Sequence, residues 1–92
     1  MKTDISIRAA VYLRAAELVE QNGICKISYS QNNSKQRCAR GHLMAASKEL
    51  FGDAILFHKF ENAEDFNIMV FNDRPDTTAA MIAAKLRERA FI

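Results

Sequence analysis

Cys38 and His42 stand four residues apart, the spacing that puts two side chains on one face of a helix. Together with Cys25 and His58 they supply two thiols and two imidazoles, enough on paper for a metal site. Structural zinc sites hold their ligands in close pairs of the Cys-x-x-Cys kind. Neither Cys25 nor Cys38 has a cysteine that near, so the spacing argues against zinc. A thiol nucleophile needs a base, an orienting third group and an exposed electropositive cleft. Only the base is evident, and Cys38 is expected to be a buried packing residue. Gly23, Gly41 and Gly52 are too far apart for a phosphate-cradling loop. The acidic pairs Glu64-Asp65 and Asp73 with Asp76 fall in expected turns, where carboxylates solvate the loop or cap the next helix. No catalytic residue, metal ligand or cofactor is assigned, and the chain is expected not to be an enzyme.

The remaining chemistry is that of charge. Residues 21–48 carry Lys26, Lys35, Arg37, Arg40 and Lys48 and no acid, whereas residues 49–76 carry seven acids against Lys59 and Arg74. The net charge of +2 hides this asymmetry. Such a distribution suits a charged partner, unless folding brings the two blocks together as surface ion pairs. Within the basic segment, Lys26, Asn32, Asn33, Lys35, Gln36, Arg37 and Arg40 form the candidate binding site. Lysine and arginine neutralise phosphates, and the carboxamides can hydrogen-bond sugar edges or bases. The competing reading is a solvated polar loop, since residues 31–37 hold no aromatic side chain on which a base would stack.

Three helices and three strands are expected to position these groups. Thr3 or Asp4 can cap a first helix over about Asp4–Asn22, with Gly23 as its left-handed stop. Ile5, Ala9, Val11, Tyr12, Ala15, Ala16, Leu18 and Val19 fill one arc of it, opposite Arg14, Glu17, Glu20 and Gln21. Cys25, Ile27 and Tyr29 then alternate with Lys26, Ser28 and Ser30, as in a half-exposed strand. Gln31 to Arg37 reads as a polar loop. A second helix is expected from about Cys38 to Leu50, with Ala39, Leu43, Ala46 and Leu50 as its apolar stripe and Gly52 past its end. The short apolar runs Ala54–Phe60 and Phe66–Phe71, joined by Glu61–Asp65, read as a hairpin. After a turn over Asn72–Asp76, a third helix capped by Asp76 or Thr77 is expected over about Thr77–Ala90. The result is an α+β fold, about three helices packed on a small antiparallel sheet in the order α-β-α-β-β-α.

Ninety-two residues, 49% hydrophobic and 26% charged, are expected to make one folded domain over residues 1–92. No run approaches the roughly 18 apolar residues of a membrane span. The opening Met1-Lys2-Thr3-Asp4 lacks the apolar stretch of a signal peptide. Two cysteines fit a reducing compartment. A cytoplasmic protein, monomeric and without a small-molecule substrate, is expected.

Residues 13–23 (Leu13 to Gly23), 38–43 (Cys38-Ala39-Arg40-Gly41-His42-Leu43) and 71–77 (Phe71 to Thr77) are similar to an uncharacterised family of small bacterial domains. Those domains share an opening helix ending in glycine, a cysteine-alanine-x-glycine helix and an aromatic-Asn-Asp turn before the last helix. In size and style the whole chain also resembles the phage-encoded anti-CRISPR proteins directed against type I-F systems, a class with no shared motif. That second resemblance implies a stoichiometric inhibitor that binds the crRNA-guided surveillance complex, its Cas subunits and crRNA, and blocks target DNA. A basic loop would then meet crRNA, and an acidic lobe would enter a DNA channel. Two other readings stand beside it: a small regulator binding DNA or RNA directly, and a structural partner of a bacterial enzyme.

Overall fold

Residues 4–24, 38–61 and 67–91 are described by the structure, a computed structural model. Helix α1 runs Asp4–Asn22 and stops at Gly23, whose φ of 76° turns its N–H back onto the Val19 carbonyl at 2.8 Å. Helix α2 runs Ala39–Phe51, with Cys38 as its N-cap. Gly52, at φ 72°, closes it through a 2.8 Å bond from its N–H to the Lys48 carbonyl. Helix α3 is the single turn His58–Glu61, and helix α4 is Ile68–Asp73. Helix α5 runs Ala79–Arg89 and is capped by Thr78, whose hydroxyl accepts from the Met81 N–H at 3.2 Å.

The described residues are helical and contain no strand, which corrects the α+β expectation. The strand expected over residues 25–30 and the loop Gln31–Arg37 lie outside the described residues. Of the hairpin expected from Ala54–Phe60 and Phe66–Phe71, residues 62–66 lie outside the described residues, and the remainder forms α3, α4 and turns beside them. The reason is periodicity. A strand would put positions 55, 57 and 59 on one face, yet Ile55 is 61% exposed while Phe57 is fully buried. The residues that go inward are Phe57 and Phe60, three apart. The backbone between them closes in three-residue steps, His58 N–H to Ile55 C=O at 3.0 Å and Phe60 N–H to Phe57 C=O at 3.0 Å. In α4 the inward pair is Ile68 and Asn72, four apart, with Val70 64% exposed between them. Asn67 starts that helix, its Oδ1 accepting from Met69 N–H at 2.9 Å and Val70 N–H at 3.2 Å. Two smaller corrections follow the same logic: the last helix is capped at Thr78 rather than Asp76 or Thr77, and Leu50 is 41% exposed rather than part of the α2 stripe.

The core is made where α1 packs against α2 and α5. Val11, Tyr12, Ala15, Ala16 and Val19 of α1 are buried, as are Leu43 and Ala46 of α2 and Ile82, Ala83 and Leu86 of α5. These residues meet one another and not a sheet. The alanines at 15, 16 and 83 are fully buried and add little side-chain bulk to this core. Phe57, Phe60 and Ile68 join the same cluster from the shorter helices.

Polar contacts fix the helix directions. Arg14 of α1 makes a two-pronged bond to Glu49 of α2, at 2.7 and 3.1 Å, and His42 near the other end of α2 meets the carbonyl of Gly23. The two helices therefore run antiparallel. The last turn of α5 is bracketed by α1: Arg8 Nε donates to the Arg89 carbonyl at 2.9 Å, and Arg87 forks onto Glu20 at 2.6 and 2.9 Å. Arg8 is 8% exposed, with its guanidinium 5.1 Å from the centre of the Tyr12 ring. A cation placed there complements the negative end of the α5 dipole.

Leu86→Ala is expected to lower unfolding free energy by about 2–5 kcal/mol, the range for deleting a buried leucine. Ala16→Asp, which introduces a carboxylate at a fully buried position, is expected to leave little soluble protein. Ser47 is fully buried and its hydroxyl has no hydrogen-bond partner among the described residues. Ser47→Ala is therefore expected to raise stability, by about 1 kcal/mol, because an unsatisfied buried hydroxyl is removed. Urea denaturation of Leu86→Ala and Ser47→Ala and the soluble yield of Ala16→Asp measure these effects; a Ser47→Ala variant less stable than the parent would show that the hydroxyl has a structural role.

Candidate functional site

The N-terminal end of α2 gathers most of the residue types that could do chemistry. A helix start exposes backbone N–H groups with no partner inside the helix, and a buried start must find acceptors for them. Here the acceptors are side chains. Cys38 Sγ accepts from the Gly41 N–H at 3.4 Å, in the position a serine or threonine hydroxyl usually takes. Asn72 of α4, fully buried, accepts from the Ala39 N–H at 2.9 Å through Oδ1 and donates from Nδ2 to Asp73 at 3.0 Å. His42, also fully buried, lies 2.8 Å through Nε2 from the Gly23 carbonyl. Since a carbonyl only accepts, Nε2 carries the proton in that contact. Cys38, His42 and Asn72 thus join the start of α2 to the end of α1 and to α4.

This arrangement bears on each sequence-derived candidate. Cys38 and His42 do share the first turn of α2, and Cys38 is buried. The thiol is more than packing material, because it caps the helix. Cys25 lies outside the described residues, and His58 is exposed on α3 with its ring 4.2 Å from that of Phe57. No group of three or more ligating side chains occurs among the described residues. Of the proposed binding residues, Lys26, Asn32, Asn33, Lys35, Gln36 and Arg37 lie outside the described residues. Arg40 sits half-buried in the first turn of α2, which holds no acid. Its charge adds to the positive end of the helix dipole instead of offsetting it. Asn72 lies in α4 and not in a turn, and the four-residue spacing from Ile68 is the sequence signal for its inward position at Ala39.

Among the described residues, Glu17, Glu20, Glu49, Asp76 and Glu88 have cationic partners. Arg14 bridges Glu49 and Glu17, Arg87 holds Glu20, Lys85 holds Glu88 at 2.7 Å, and Arg74 lies 3.9 Å from Asp76. Hydrogen bonds from Arg14 hold the Glu49 carboxyl below the ordinary glutamate range, and those from Arg87 and Lys85 do the same for Glu20 and Glu88. The reciprocal bonds raise Arg14 and Arg87. All are at the surface, where water and salt screen the attraction, so their contribution to stability is small.

The sign of their pH dependence is nonetheless fixed. A depressed carboxyl stabilises the fold above its unfolded value, about 4.3 for glutamate, and that contribution is lost as pH falls through the folded value. Thermal melts from pH 6 to pH 3 (roughly the span around that value) are expected to show a smaller loss of Tm for Glu20→Gln/Glu49→Gln than for the parent. An equal loss would show that these pairs make no difference between the folded and unfolded chain. At the α2 cap, Cys38→Ser is expected to be tolerated better than Cys38→Val. Loss of a cap costs about 0.5–2 kcal/mol, whereas valine keeps the bulk but removes the acceptor. Equal stability of the two would reduce Cys38 to packing.

No curated protein and no solved structure shows significant similarity to the chain. The family model of DUF6197, a family of unknown function, matches residues 7–91, a span that includes α1 from Ile7 onward, the Cys38 cap, Asn72 and α5. The chain belongs to that family.

Proposed function

We propose that the protein is a non-catalytic binding domain that attaches to a nucleic-acid-containing partner through the basic segment carrying Lys26, Asn32, Asn33, Lys35, Gln36, Arg37 and Arg40. The observation that supports this reading is the way the carboxylates are partnered. Glu17, Glu20, Glu49, Asp76 and Glu88 are engaged by Arg14, Arg87, Arg74 and Lys85, all of which lie outside residues 21–48. Of these carboxylates Glu49 and Asp76 belong to the acidic block 49–76, and the cations they meet, Arg14 and Arg74, lie outside the basic block. Arg40 and the dipole of α2 add positive potential at the end of the helix that follows the basic segment. The resemblance to type I-F anti-CRISPR proteins makes the partner specific: a crRNA-guided surveillance complex whose access to target DNA the domain would block. Cys38, His42 and Asn72 act within this reading as supports of the α2 terminus.

The test is a salt series of dissociation constants for the parent and a Lys35→Ala/Arg37→Ala variant against the purified surveillance complex. The variant is expected to melt within a few degrees of the parent, as substitutions away from a core usually do. It should bind more weakly, and its log affinity should fall less steeply with log salt, by about one unit per phosphate contact removed. Unchanged affinity and slope would remove the segment from the interface. Absence of binding to the complex at every salt concentration, with salt-sensitive binding to free RNA or DNA, would replace the inhibitor by a direct nucleic-acid regulator.

A further inference from the structure

We draw no further inference here: the strongest candidate, the exposed apolar side chains of Leu50, Phe51 and Ile55 at the C-terminal end of α2 and in the turn after it, carries nothing because nothing in the structure shows what covers them.

Discussion

The burial of α1 between α2 and α5 is the contact on which the other elements depend. A chain of 92 residues has a limited core, and here α1 supplies Val11, Tyr12, Ala15, Ala16 and Val19 to it at essentially no exposure. An arc that wide is more than one neighbouring helix covers, so two are recruited, one on each side. The shorter helices α3 and α4 then add Phe57, Phe60 and Ile68 where the long helices leave the core open. The polar ties along α1 set the orientation of its neighbours: Arg14 and the Gly23 carbonyl position α2, while Arg8 and Glu20 position α5.

The second constraint is the buried start of α2. Water cannot serve its backbone donors there, and an unmet donor costs about 1–3 kcal/mol. The protein meets the need with a thiol from the preceding residue and a carboxamide from a different helix. This accounts for a cysteine, a histidine and an asparagine lying close together at one helix end. The same three residue types assembled around an exposed cleft would read as catalytic. Here Cys38 and Asn72 accept backbone N–H groups, and His42 holds the carbonyl at the end of α1.

The long helices were legible in the sequence because their apolar positions recur over several turns and glycines mark two of their ends. The inward residues Tyr12, Ala16, Val19, Leu43 and Ala46 follow from that recurrence and are buried. Residues 54–71 were not legible in the same way. Runs of six or seven residues rich in Phe, Ile and Val satisfy a strand pattern by composition alone. The deciding facts are spacings of three and four, Phe57 to Phe60 and Ile68 to Asn72, and the second is visible only if a polar asparagine is allowed inside. The candidate site divides similarly. Charge could be counted along the chain, whereas the partnering of Glu20 with Arg87, 67 positions away, depends on the packing of α5 on α1.

That long-range pairing has a consequence for how the chain is born. The ribosome makes α1 first and α5 last of the described helices, and Arg8 meets the Arg89 carbonyl across 81 positions. Until α5 emerges, the side of α1 that faces it, marked by Arg8 and Glu20, lacks its final cover. Bringing such distant segments together costs loop entropy before any contact offsets it, which slows folding relative to helical hairpins closed by neighbours. A nascent chain halted before Ala79 would lack α5 and leave that side of α1 uncovered, a surface that chaperones and aggregation compete for.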